Sequence, residues 1–210
     1  MFEAAELGRT VSKAVYNKKD PELRTALLDA QFKLRELPFP VIIIVSGVEG
    51  AGKGEVVNEL NRWFDTRGVQ THAFWGESDE EHERPRFWRF WRKLPPKSTI
   101  GVLFGSWYTT PIIDRVFGKR TKAEFESELD RISEFERLLS NDGALIIKFW
   151  FHLTKKAPQT RPERGQGLAA TEGIRQELQS FQSGLGDRDP SHRQRIQPVA
   201  YRRGRRSALP

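Results

Sequence analysis

Val41-Ile42-Ile43-Ile44-Val45-Ser46-Gly47-Val48-Glu49-Gly50-Ala51-Gly52-Lys53-Gly54 is the stretch on which the fold turns. A run of β-branched residues enters a glycine-rich segment, and an amphipathic stretch, Glu55 to Phe64, leaves it. In that context of strand, turn and helix, the G-x-x-x-x-G-K spacing is a phosphate-binding loop with a mechanism. Glycines let the backbone bend so that successive N–H groups converge on an anion, at the positive end of the following helix. Gly47, Gly50, Ala51, Gly52, Lys53 and Gly54 are therefore the candidate cradle, and Lys53 supplies a mobile charge for outer phosphates. The competing reading is a glycine-rich turn in some other α/β protein. Gly54 also stands where most such loops carry the Ser or Thr that holds Mg²⁺.

Outward from this loop, strands and helices alternate. Val69–Trp75, Thr99–Phe104 and Ala144–Phe151 read as further strands. Asp20 followed by Pro21 reads as a helix start, a capping side chain and then a residue with φ preset. Leu23, Leu27, Leu28 and Phe32 continue that helix at its period toward the sheet, until Pro38 and Pro40. Ser78 to Glu81 and Thr121 to Glu124 fit capping boxes. A short helix runs from Pro111 to Phe117, and Phe125, Leu129, Ile132, Phe135 and Leu139 mark the buried face of a longer one. The alternation predicts an α/β fold, a parallel sheet with helices on both faces.

Two further stretches carry chemistry. Arg86-Phe87-Trp88-Arg89-Phe90-Trp91-Arg92-Lys93 interleaves basic and aromatic residues, with Phe87 and Trp91 on one helical face and Arg86, Arg89 and Arg92 on another. Such a band either stacks a base and neutralises an anion or is core aromatics beside solvated arginines. Gly105-Ser106-Trp107-Tyr108 follows the third strand at its carboxyl end, the edge where ligands sit in open parallel sheets.

A chain of 210 residues allows one domain or one domain with an attachment. There is no cysteine, which excludes disulfides and thiolate zinc sites. The start of the chain has no secretory pattern and apolar runs are strand-length, so a cytoplasmic protein without a membrane partner is expected. The net charge of +7 is concentrated in residues 157–210, which hold ten arginines, no lysine and five acidic residues. The preceding 156 residues have 25 basic and 23 acidic side chains, so nucleic-acid binding rests on the tail alone. Beyond Lys156 the periodicity fades into Gln, Arg, Pro, Gly and Ser, apart from a short helical pattern near Glu172 to Phe181, and a tail of low order is expected. His72, His82 and His152 are scattered and suggest no metal set.

Taken together, the landmarks resemble the polyphosphate kinase 2 family, and within it the N-terminal half of the tandem polyphosphate:AMP phosphotransferases. They are Met1 to Gly8, the loop at Gly47 to Gly54, Glu83-Arg84-Pro85-Arg86 with Phe87 to Trp91, Leu94-Pro95-Pro96-Lys97, Gly105 to Tyr108, and Lys148 to Leu153. Gly54 is usual in that family. The resemblance implies a P-loop kinase core in residues 1–156 and phosphoryl transfer, AMP to ADP, between inorganic polyphosphate and a nucleoside mono- or diphosphate, with Mg²⁺. It implies that Glu49, at the place of an important family aspartate, acts with Lys53, Arg84 and Arg86 in catalysis. Arg89, Trp107 and Tyr108 would line the substrate. A homo-oligomer is compatible with all of this.

The sequence departs from the family in two places. Where complete motifs read Asp-Arg-Ser-Trp-Tyr, with the aspartate organising Mg²⁺, this chain has Phe104-Gly105-Ser106-Trp107-Tyr108. After Lys156 the expected basic helical lid is missing, and the arginine-rich, lysine-free text suggests a shifted reading frame. The alternative to an enzyme is a catalytically degenerate phosphate-binding half-domain.

Overall fold

The computed structural model describes residues 11–47 and 50–152, together with the backbone of 196–200. In chain order the elements are α1 (Lys13–Leu34), β1 (Val41–Gly47), α2 (Lys53–Trp63), β2 (Val69–Ala73), α3 (Asp79–His82), α4 (Trp88–Trp91), β3 (Ile100–Phe104), α5 (Thr109–Val116), α6 (Lys122–Asn141), β4 (Leu145–His152) and β5 (Ile196–Ala200). The sheet order is β2-β3-β1-β4-β5, and every neighbouring pair is parallel. β1 lies in the middle, Val41 opposite Ile100 on one side and Leu145 on the other.

Alternate side chains of a strand point to opposite faces, and β1 divides accordingly. Ile42 and Ile44 join Leu103, Phe90, Trp107 and the α6 residues Phe125, Leu129, Ile132, Phe135 and Leu139. Val41, Ile43 and Val45 join Leu34, Val57, Phe64, Val102 and Phe151 on the opposite face. A strand buried on both faces needs a continuous apolar run, which Val41–Val45 supplies. The expected parallel α/β sheet is thus present, and all five α6 residues read as its buried face are buried.

Three expectations need correction. α1 starts at the Ser12 cap, whose hydroxyl accepts from Val15 N at 3.3 Å, and Pro21 lies inside it. A proline inside a helix forfeits one backbone bond, a loss that 22 residues absorb. Leu23 and Phe32 are exposed, and the helix docks through buried Gln31 and Leu34 instead. The Gln31 amide exchanges two hydrogen bonds with the Asp65 backbone, at 2.7 and 2.8 Å. The basic–aromatic band, expected to set Phe87 and Trp91 on one helical face, forms the single turn α4, and Phe87 stands before it as the cap in the left-handed region at φ 64°.

The third correction concerns Ile196–Ala200, where no sheet element was expected. It pairs with β4, Lys148 opposite Ile196 and His152 opposite Ala200. Its place at the sheet edge suits Pro198, which has no N–H to donate. The rest of the tail, the helical pattern near Glu172 to Phe181 and the Met1 to Gly8 landmark lie outside the described residues. No helix among the described residues is long and apolar enough to cross a membrane.

Candidate phosphate-binding site

β1 delivers the chain into the loop at Gly47, with φ 137°. A Cβ there would stand 2.2 Å from the Phe151 carbonyl oxygen on β4, so only glycine allows the strand to end so close to its neighbour. Gly50 and Gly52 follow with φ 78° and 88°. Gly52 is the N-cap of α2 and offers no side-chain cap to the helix's first N–H groups. Those donors and the positive helix end are what an anion would meet. The Lys53 ammonium folds back to donate to the Gly47 carbonyl oxygen at 2.5 Å. A Cβ on Gly54 would meet open space, so packing does not demand glycine there. Ala51 is fully buried and anchors the loop. Glu49 lies outside the described residues.

The carboxyl end of β3 abuts the loop. Ser46 and Ser106 hydroxyls lie 3.1 Å apart, and Gly105 N donates to the Val45 carbonyl oxygen at 3.2 Å. Trp107 and Tyr108, expected to line the substrate, turn inward instead. Trp107 is 3% exposed and its Nε1 donates to Glu136 Oε1 at 3.0 Å. The Tyr108 hydroxyl donates to the same oxygen at 2.8 Å, and Lys148 Nζ donates to Glu136 Oε2 at 2.7 Å. Burial, and then the Glu136 carboxylate, push the Tyr108 hydroxyl well above its ordinary pKa. This network ties the loop after β3 to α6 and β4.

Arg84, Arg86 and Arg89, the three arginines expected at the site, separate. Arg86 forms an ion pair with buried Glu128, which Arg120 and Arg131 also approach, each at 3.4 Å. Burial first, then Arg131 and Arg120, lower the Arg86 pKa without neutralising a guanidinium. The Arg89 side chain is 11% exposed, lies 3.3 Å from Glu81 and donates to the Trp75 carbonyl oxygen at 3.0 Å. Arg84 stands on the surface apart from any buried carboxylate, with Glu80 at 3.4 Å and its guanidinium 5.3 Å from the Trp88 ring centre. Neither Glu128 nor Glu136 was singled out in the sequence, although both stand on the apolar stripe of α6.

Mg²⁺ does not fit the described residues. At the ends of β1 and β3 they present hydroxyls and glycine, and no group of three acidic or histidine ligands forms among them. Asp114, the nearest carboxylate in sequence, accepts from Arg120 Nε at 2.9 Å. His82 pairs with Glu77 at 3.3 Å, and His72 lies on β2.

A glycine loop running from a central parallel strand into a helix, with its lysine turned back over it, defines a P-loop kinase-like α/β domain. The profile of the family Polyphosphate kinase 2 matches residues 10–166, and the chain belongs to that family. The match continues ten residues beyond Lys156, where the resemblance read from the sequence stops. The chain is 50% identical over 162 residues to a polyphosphate:AMP phosphotransferase of Pseudomonas aeruginosa, covering 77% of this chain and 33% of that protein. It is 35% identical over 121 residues to ADP-polyphosphate phosphotransferase 2 of Rhizobium meliloti, covering 58% of this chain and 40% of the relative. The structure resembles a crystal structure described as polyphosphate kinase 2 from Pseudomonas aeruginosa PA01. The TM-score is 0.78 at 41% identity, over 96% of this chain and 42% of that one. A polyphosphate kinase 2 structure from Arthrobacter aurescens TC1 gives 0.66 at 26% identity, over 91% of this chain and 62% of that one. The chain spans about a third of the length of the polyphosphate:AMP phosphotransferases it matches.

Proposed function

We propose that this chain binds the end of an inorganic polyphosphate in the Gly47–Gly54 loop and takes part in phosphoryl transfer between it and a nucleotide, with AMP as the acceptor. The observation that carries the reading is the uncapped start of α2 beneath Lys53. When phosphate arrives, loop N–H groups donate to its oxygens, and Lys53 exchanges the Gly47 carbonyl for the outer phosphate. Positioning and charge neutralisation are most of what phosphoryl transfer asks of a protein. Arg84, on the surface, is the arginine of the expected three that can reach an incoming anion without breaking a buried pair.

The missing carboxylate at Phe104-Gly105 favours a second reading, a phosphate-binding half-domain without turnover. Losing a metal-orienting ligand costs on the order of a few powers of ten in rate. A luminescent ATP/ADP assay with polyphosphate, AMP or ADP and Mg²⁺, paired with polyphosphate-binding titrations, separates the two. Turnover abolished by Lys53→Ala supports transfer; polyphosphate binding weakened by Lys53→Ala without turnover supports the half-domain. An unchanged polyphosphate affinity in Lys53→Ala removes the loop from both.

A further inference from the structure

A second basic concavity, of about 350 Å³, lies beside the edge strand β2, between Thr71–Phe74 and the α3–α4 segment. Its charged lining comes from Glu81, Arg89, Arg92 and Lys93. Glu81 is already committed to Arg89, at 3.3 Å. Arg92 and Lys93 are exposed, and among the described residues neither has a carboxylate partner, so two positive charges face this space uncompensated. His72 lines it as well, and its buried Nε2 has no hydrogen-bond partner there. Burial and then Lys93 lower the His72 pKa, which keeps its ring neutral and able to donate or accept at that nitrogen.

What would fill such a space is limited by Trp88. Guanidinium groups lie near its ring, Arg84 at 5.3 Å and Arg92 at 4.7 Å from the centre, which leaves little ring surface for a nucleobase. The remaining demand is for negative charge carried by oxygen acceptors. The cavity opens along the last residues of β2, on the same carboxyl edge of the sheet as the glycine loop, two strands away from β1. At ordinary strand spacing that is about 10 Å, a gap a few linked phosphates can cross.

We infer that the cavity lined by His72, Arg92 and Lys93 is a second phosphate subsite, which holds an internal stretch of a polyphosphate chain whose end occupies the Gly47–Gly54 loop. The inference rests on the proposed function and names where the chain runs beyond the reacting end. A short oligophosphate fills the loop alone; a long one reaches both places and gains from simultaneous engagement.

The experiment compares binding of tripolyphosphate and long-chain polyphosphate by titration calorimetry at several salt concentrations. It uses the wild-type chain, Arg92→Gln/Lys93→Gln, and Lys119→Gln/Lys122→Gln as a control that removes the same charge elsewhere. Melting curves check that each is folded. The expected result is a long-chain affinity reduced by about tenfold in Arg92→Gln/Lys93→Gln, with a salt slope shallower by about one to two. Tripolyphosphate binding stays unchanged, and the control loses little. Equal losses in both double variants reduce the effect to net charge and overturn the subsite. A long-chain preference retained in Arg92→Gln/Lys93→Gln also overturns it while leaving the loop reading intact. A wild-type chain that binds neither phosphate overturns both readings.

Discussion

Gly105 has φ 80°, and a Cβ added there would stand 2.7 Å from the carbonyl oxygen of Phe74. The family motif that the sequence resembles has arginine at this place and aspartate before it. The departure is thus built into the backbone, because a side chain at 105 is strained and crowded by a main-chain oxygen. Gly105→Arg is expected to lower stability by about 1–3 kcal/mol. Urea unfolding of the variant beside wild type measures it, and an unchanged midpoint refutes the strain argument. Restoring the motif by substitution alone therefore works against the fold before any metal chemistry begins.

At the scale of elements, α6 and β4 carry charged residues where their patterns call for apolar ones. The α6 stripe of Phe125, Leu129, Ile132, Phe135 and Leu139 also contains Glu128 and Glu136, at 5% and 3% exposure. On β4, Lys148 interrupts an apolar run at 9% exposure. The strand-loop-helix at the centre and the buried face of α6 were legible because period and turn chemistry agree over many residues. The Glu136–Lys148–Tyr108 network was not legible, because pairing depends on the register between a helix and a strand that sequence spacing does not encode. A carboxylate on an apolar stripe and a lysine inside an apolar strand were nevertheless a signal that two buried charges need each other. The inward turn of Trp107 and Tyr108 was hidden for the same reason, since the partner that draws them inward lies on α6. Lys148→Met leaves Glu136 buried without its cation and is expected to cost about 3–5 kcal/mol. Glu136→Leu/Lys148→Met removes both charges and should recover much of that loss. A double-mutant cycle by denaturant unfolding reads the coupling, and additive losses refute it.

For the whole molecule, acid is the vulnerable direction. Hydrogen bonds from the Arg67 side chain, then its backbone N–H, and then Arg35 hold the Asp65 carboxyl well below the usual carboxylate range. The Thr121 backbone and hydroxyl lower Glu124 at the start of α6. In both cases the unfolded chain takes up protons first as pH falls. The stabilisation is complete above the ordinary carboxylate pKa, about 4, and is lost as pH falls through the lower folded values. Melting temperatures should therefore drop on acidification, and Asp65→Asn should flatten that dependence. A profile as steep in Asp65→Asn as in wild type assigns the effect to other groups. Asp65 also receives the Gln31 amide, so the same residue that titrates helps join α1 to the turn after α2.

β1 has a hydrogen-bonded neighbour on either side, whereas β2 and β5 close the sheet with one each. The glycine loop thus springs from a strand clamped on both sides, and Gly47 is pressed against Phe151 at its very exit. Under the proposed function, an arriving phosphate chain meets donors mounted on an anvil, a strand held on both sides.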